Sequence, residues 1–404
     1  MFKKMLKSHD YSIIGVYIFL CLFGLVMIYS SSMVMAVQRY GYPADFFYDK
    51  QKINLLIAFA AFLFFAFFPY KAFRNKKFLI TMTITAILAL FAVSAYGYVG
   101  NNAQSWISVG FRSIQPSEFV KVSVIIYLSA VYANKQAYIN QLNKGVLPPI
   151  IYLVFVCFLI KIEPDNGSAV ITFLIGMTII LCSGMKFKTL MKLAAIAGGL
   201  ALLFVPFILF KFDSIVTDNN MARITGFLHP FELAQKEGYQ LVNSYLAIGS
   251  GGLKGVGLGQ SVQKLGYLPE PHTDFIMAII AEELGIAGVI IVIGGLSYLV
   301  LRGIYIGIRC RDPFGSMLAI GIASMIGIQS FINLGGMSGL IPITGVTLPF
   351  ISYGGSSILV LSIAMGILSN VAMFKNYDEK YKHQKVEDKP VSPSIPLNYE
   401  NNFR

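Results

Sequence analysis

The sequence predicts an all-α protein that crosses a membrane about ten times, with a large extracellular loop between the seventh and eighth helices. Three observations carry this. Hydrophobic residues make up 56% of the 404 and charged residues only 13%, with a mean hydropathy of +0.67, which excludes a soluble globule of this length. Ten apolar runs are long enough for a hydrocarbon core of ~30 Å. Basic residues gather in alternate connections between those runs.

The runs lie at 12 to 31, 53 to 69, 77 to 97, 118 to 133, 146 to 161, 167 to 183, 190 to 210, 275 to 300, 314 to 334 and 350 to 373. The first follows Lys3, Lys4 and Lys7. Its apolar part of ~20 residues exceeds a secretory h-region, so it reads as a signal anchor. The second, fourth and fifth runs are the least distinct of the ten.

With the N-terminus inside, the inner segments hold 21 of the 32 lysines and arginines, including Lys71, Arg74, Lys135, Lys144, Lys186, Lys188, Lys192 and Arg302. Both termini are therefore expected in the cytoplasm. The net charge of +12 then reads as a topology signal plus attraction to anionic lipid, and no nucleic acid is expected as partner. The organisation is a cytoplasmic N-terminus (1–11), one membrane domain (12–374) that includes the extracellular loop (211–274), and a disordered cytoplasmic tail (375–404). Cys21, Cys157, Cys182 and Cys310 are scattered with no CxxC spacing, so neither a metal site nor a disulfide framework is predicted.

A loop as long as 211–274 is usually functional. It contains Arg223, a helical stretch around Phe231 to Leu246, and the glycine-rich run from Gly249 to Gly259. No Gly-Lys-Ser/Thr follows those glycines, which argues against a nucleotide loop. They read as a backbone turning tightly against neighbouring spans, or as a source of amides for a phosphate or sugar. The loop ends in Gly266-Tyr-Leu-Pro-Glu-Pro-His-Thr-Asp-Phe-Ile276, which sets Glu270, His272 and Asp274 directly before an apolar run. Reactive groups at a membrane boundary point to chemistry on a lipid-borne substrate.

Asp274 has two readings. It caps the following helix, with Thr273 as competitor, or it serves as a base, since an ordinary Asp pKa of ~3.9 leaves it ionised at neutral pH. Glu270 positions a sugar hydroxyl or a cation, or is a solvated loop residue. His272 orients Asp274 or touches substrate, or simply packs. Glu282 and Glu283 would lie ~12 Å deeper along a continuous helix at ~1.5 Å per residue, too far to share the proton of Asp274, and read as structural partners in the bundle.

Four runs carry a family resemblance: Ile114-Gln-Pro-Ser-Glu-Phe-Val-Lys121, Gly255-Val-Gly-Leu-Gly-Gln-Ser261, the stretch from Leu268 to Gly285 containing Pro-Glu-Pro-His-Thr-Asp-Phe, and the stretch from Ile341 to Ser357 containing Pro-Phe-Ile-Ser-Tyr-Gly-Gly-Ser-Ser. They resemble the shape, elongation, division and sporulation (SEDS) family over nearly the whole chain, its division members most of all. The resemblance implies a ten-span peptidoglycan glycosyltransferase that polymerises lipid II and releases undecaprenyl pyrophosphate. It further implies work at the division septum beside a class B penicillin-binding protein (a transpeptidase) and other divisome membrane proteins. The family's catalytic aspartate falls on Asp274. No cofactor is implied with certainty, and a divalent cation stays an open requirement. An elongation or sporulation role, a lipid II flippase and a structural scaffold are the alternatives; a flippase would need ionisable groups along a path through the bilayer.

The remaining candidates follow from that reaction. Glu118 and Lys121, spaced i, i+3 at the outer end of the fourth span, either pair with each other, because an unpaired charge in lipid costs ~2.5 to 3.5 kcal/mol, or meet the pyrophosphate. Relatives often carry Arg before the tryptophan where this chain has Ser105 before Trp106. That leaves Arg223 and Lys264 as outer-side cations and Trp106 as an interfacial anchor. Pro342, Gly345, Pro349, Gly354 and Gly355 break an apolar stretch, which membranes tolerate where protein buries it or a cavity is lined by it. Ser352, Ser356 and Ser357 there either offer hydroxyls to substrate or allow close helix contact.

Overall fold

Helix ends follow from capping and proline chemistry as much as from apolar length. A computed structural model describes residues 2–100, 103–109, 112–210 and 218–382. Its helices are α1 Phe2–Leu6, α2 Tyr11–Gln38, α3 Phe46–Phe67, α4 Lys76–Tyr96, α5 Pro116–Asn134, α6 Leu147–Ile162, α7 Asn166–Leu181, α8 Phe187–Phe210, α9 Asp218–Leu228, α10 Tyr239–Gly251, α11 Ile276–Arg309, α12 Pro313–Met337 and α13 Gly355–Tyr377. Asn75, Asp165 and Asp312 accept backbone N–H bonds at the starts of α4, α7 and α12, satisfying donors no helix can satisfy for itself. Pro116 and Pro313 open α5 and α12, where a missing N–H costs nothing.

Each predicted run falls on a helix, α2 to α8 and α11 to α13. Among the described residues, eight helices are long and apolar enough to cross a membrane; α7, with 16 residues, is shorter. The fold is that of a polytopic membrane protein. α5, α12 and α13 are buried along most of their length, while α3 and α4 present Leu56, Phe64 and Leu88 outward. This explains the weak apolar signal of the fourth run: α5 is central and contacts protein, so it carries Ser117, Glu118 and Lys121 without exposing them to lipid.

Contacts sort the connections to two ends of the bundle. At one end Arg302 meets Asp10, Asn376 bonds Ser8, Tyr70 bonds Asn370 and Asp312, and Arg74 bonds Asn134. At the other, Gln115 bonds Asp165 and Ser356, Tyr40 bonds Glu270, and Arg223 bonds Thr344.

Three expectations need correction, and one connection adds a feature the sequence did not announce. The connection before α5 is a small antiparallel sheet, β1 Tyr98–Gly100, β2 Ala103–Val109 and β3 Arg112–Ile114 in that order, with Tyr98 opposite Trp106 and Ile107 opposite Ile114. Its β-branched residues suit a pleated surface. The tail does not begin at 375: α13 runs to Tyr377 and a further turn to Lys382, and 383–404 lie outside the described residues, as do 211–217 of the long loop. Phe231 precedes the helix, which begins only at Tyr239 after Gly238 in the cap position. Finally, α11 is not continuous; Gly285 at φ 61°, ψ −148° breaks it.

That break exposes backbone groups, and the glycine-rich run satisfies them. Val256 N donates to Glu282 O at 2.9 Å, Gly257 N to Glu283 O at 2.9 Å, and Ile286 N to Leu253 O at 3.3 Å. Gly255 at φ 75° sits so close to Glu283 O that no side chain fits. The amides of Gly255, Val256 and Gly257 are consumed internally, which favours the turn reading for this part of the run. Non-helical backbone at this depth persists because protein covers it.

Candidate active site

Pro269 and Pro271 disfavour helix in this stretch, and α11 starts only at Ile276 with Phe275 in the N-cap position and no side-chain cap bond. Asp274 therefore lies in a turn, half-buried, and is not the cap. Its Oδ1 accepts from Thr273 Oγ1 at 2.8 Å, and its carbonyl accepts from Asn333 Nδ2 at 2.8 Å. Asn333, on α12, also donates to Val346 O at 2.7 Å, so one amide ties the Asp274 turn to the broken stretch before α13. Ser352 adds a second tie: its hydroxyl donates to Thr273 O and accepts from Leu348 N at 2.8 Å.

Arg223 of α9 reaches the same place from the long loop, with Nη1 3.4 Å from Thr344 O. A carbon added on Gly345 would lie 3.9 Å from Arg223 Nη2 and 4.0 Å from Asp274 Oδ2, so a guanidinium and a carboxylate flank one bare glycine. Gly345 has φ 73°, which disfavours any side chain between them. The cleft at Asp274, lined by Asn333, Thr344, Gly345 and Val346 among others, has a volume of ≈ 10 Å³, about one water molecule.

Burial pushes the Asp274 carboxyl up to about 6, helped by the charge of Glu270 and opposed by the Thr273 hydrogen bond and the Arg223 charge. Loss of solvation disfavours the anion more than its donors favour it. Burial likewise lowers His272 to about 4, so its ring is neutral at neutral pH. That ring packs on Phe47 and Tyr353 at centroid distances of 4.3 and 5.5 Å, with Nε2 3.9 Å from Glu270 Oε2. Packing, not contact with Asp274, is the role the geometry gives it. Glu270 sits at φ 50°, uncommon for a residue with a side chain, beside Tyr40 Oη at 3.3 Å and Arg39 Nη1 at 3.7 Å.

Other candidates are placed elsewhere. Lys264 is a correction: it is fully buried, with Nζ 2.7 Å from Glu283 Oε1 and 3.1 Å from Ser30 Oγ, and faces no outer substrate. Glu282 accepts from Ser261 Oγ and Val262 N, so both glutamates serve the bundle. Lys121 pairs with Glu118 at 2.8 Å and lies 3.4 Å from Gln329 Oε1. Gln329 in turn donates to Thr347 O, and Thr347 bonds Ser357 at 3.2 Å, so the ion pair backs the broken stretch. Ser356 accepts from Gln115 N and donates to Ser113 O. Ser352 and Ser356 thus hold backbone, and Ser357 holds the Thr347 hydroxyl. Among the described residues, no three His, Cys, Asp or Glu side chains converge as metal ligands would.

Sequence reasoning missed Asn333, Gln329, Arg39 and Tyr40. Asn333 and Gln329 had a signal: strongly polar side chains four residues apart inside an apolar run face protein, not lipid. Arg39 and Tyr40 had none, because their approach to Glu270 joins segments 230 positions apart.

A family profile described as cell cycle protein, covering FtsW, RodA and SpoVE, matches residues 11–377. A probable peptidoglycan glycosyltransferase FtsW of Bacillus subtilis (strain 168) is 53% identical over 393 residues, 97% of this chain and 96% of that protein. Stage V sporulation protein E of the same organism is 38% identical over 92% of this chain and 98% of its own. Among solved structures, a peptidoglycan synthase complex that coordinates polymerization and crosslinking superposes with a TM-score of 0.72 at 20% identity, over 91% of this chain and 98% of that one. The rod shape determining protein RodA of Thermus thermophilus gives 0.63 at 21% identity, over 90% and 96%.

Proposed function

The chain belongs to the cell cycle protein family of FtsW, RodA and SpoVE and is a peptidoglycan glycosyltransferase; on that premise we propose that it polymerises lipid II at the outer face of the cytoplasmic membrane, with Asp274 as general base. The acceptor sugar hydroxyl attacks the anomeric carbon of the donor. The bond to undecaprenyl pyrophosphate breaks, and the hydroxyl proton passes to Asp274. The observation that carries this is the placement of Asp274 Oδ2 and Arg223 Nη2 around Gly345, at 4.0 and 3.9 Å from the position a side-chain carbon there would take. It sets a cation near the cleft that holds the base, the two charges needed for a proton taken and a pyrophosphate released.

A carboxyl raised to about 6 is more basic than an ordinary aspartate yet largely ionised at neutral pH, which suits a base. The leaving group is already a pyrophosphate, so no strong general acid is required. With ≈ 10 Å³ of space, sugar entry requires α9 or the segment around Gly345 to move aside, a gating motion common to such sites. We further propose that the enzyme serves septal wall synthesis with a class B penicillin-binding protein. The relative that coordinates polymerization with crosslinking supports such a partnership. A flippase reading finds less support: Glu118 and Lys121 are buried and paired, sealed rather than lining a path.

The test is polymerisation of labelled lipid II by the purified protein, with and without its transpeptidase. Asp274→Asn keeps the volume and loses the basicity, and is expected to lower glycan formation by ~10²-fold or more with unchanged melting temperature and lipid II binding. Wild-type polymerisation by a well-folded Asp274→Asn protein would sink the assignment and make lipid translocation the next assay.

A further inference from the structure

At the bundle end opposite Asp274 the connection between α5 and α6 packs against the start of α8 and leaves a concavity of ≈ 480 Å³ lined by Asn140, Asn143, Lys144, Lys188, Thr189 and Lys192 among others. The concavity is built, not incidental. Asn140 Oδ1 accepts from Lys186 N at 2.8 Å and Thr189 Oγ1 at 3.1 Å, and Lys135 Nζ donates to the Lys144 carbonyl at 2.6 Å. No acidic residue lines it.

Several other basic residues at this end have side-chain partners. Arg302 pairs with Asp10, Lys375 with Glu379, and Arg74 with Asn134, while Lys4, Lys71 and Arg309 lie over tyrosine rings. Among the described residues, Lys144, Lys188 and Lys192 have no carboxylate within 4.0 Å. Lys188 and Lys192 stand i, i+4 on one helical face, where like charges repel. Beside them Leu147, Phe187 and Met191 are exposed, Phe187 at 74%, as residues facing acyl chains would be. Cationic concavities between helices at the inner face are suited to anionic headgroups.

We propose that this concavity is a binding site for a phosphate-bearing anionic headgroup at the inner membrane surface, held by Lys144, Lys188 and Lys192, with the lipid's chains against Phe187 and Met191. The site is separate from the polymerising cleft and rests only on the orientation proposed from the basic residues.

The test uses the full chain in detergent, titrated separately with short-chain phosphatidylglycerol, phosphatidylcholine, glycerol phosphate and inorganic phosphate, with binding read by native mass spectrometry. Phosphatidylglycerol is expected to bind the wild type and a Lys144→Arg, Lys188→Arg, Lys192→Arg protein alike. The corresponding triple change to Gln should weaken it on the order of 100-fold, at about fivefold per lysine. Inorganic or glycerol phosphate binding as tightly as the lipid would support the phosphate site and identify a soluble anion as its occupant. Equal phosphatidylglycerol affinity in the wild type and the Gln variant, or equal binding of phosphatidylcholine and phosphatidylglycerol, would overturn the proposal. If the triple Gln change fails to accumulate, Lys188→Gln with Lys192→Gln leaves the Asn140 contacts intact and gives the same readout. Labelling of a Lys188→Cys protein by an impermeant reagent reports orientation independently.

Discussion

Asp274 is pulled two ways, by burial that favours the neutral acid and by Thr273 and Arg223 that favour the anion, and burial wins. The consequence is a pH profile. A base works only when deprotonated, so with a pKa near 6 the rate should be flat above about pH 7 and fall tenfold per unit below about pH 6. An ordinary aspartate, whose usual value is 3.8, would hold the rate constant down to about pH 4; measuring kcat/KM for lipid II polymerisation from pH 4.5 to 8 separates the two. At Glu118 and Lys121 the buried pair predicts that Glu118→Gln alone lowers the folded yield, since it strands a charge beside Gln329, and that adding Lys121→Met restores part of it. A double variant that folds normally yet stays inactive would instead assign Lys121 to substrate, and two silent single changes would dismiss both roles.

Among the elements, α11 shows how a broken helix is kept in place. Its first turns carry Glu282 and Glu283, and the break at Gly285 frees carbonyls that Val256 and Gly257 take up. A methyl group at Gly285 would meet Gly255 N at 2.5 Å and Leu253 O at 2.6 Å, backbone atoms that cannot step aside, at a φ of 61°. Gly285→Ala should therefore cost about 1–3 kcal/mol in strain and lower the melting temperature. At Gly294, in the same helix, an added methyl would meet nothing within 4 Å, and Gly294→Ala should be neutral or slightly stabilising. Equal melting temperatures for the two variants would mean the break is not specified by this packing.

For the whole molecule, two sets of connections lie at opposite ends of the bundle, and the basic-residue bias proposes which end is cytoplasmic. Gly238 faces the Pro230 carbonyl too closely for a cysteine, whereas Lys236 is exposed. In a Cys182→Ser background, since Cys182 is exposed, a cysteine at Lys236 should react with an impermeant thiol reagent from outside intact cells and one at Asn143 should not. The opposite pattern would invert the orientation and move the Asp274 cleft to the cytoplasm, where no outer-face polymerisation could use it.

Hydrophobic length and the distribution of lysine and arginine are local properties, so the helical class, the ten apolar runs and the proposed sidedness could be read from the chain itself. Asp274 could be singled out as a candidate because Glu270 and His272 stand with it, among prolines, directly before an apolar run. What stayed hidden depends on distance in sequence. Lys264 looked like an outward cation until Glu283 and Ser30 enclosed it, and the amides of Val256 and Gly257 looked available until the break in α11 claimed them. Burial and partnership belong to the packed bundle: the energy of a charge or a bare amide is set by what surrounds it. Only the tertiary structure therefore decided that Arg223, and not Lys264, comes near Asp274 at Gly345, and that Asn333 and Ser352 hold the turn that carries it.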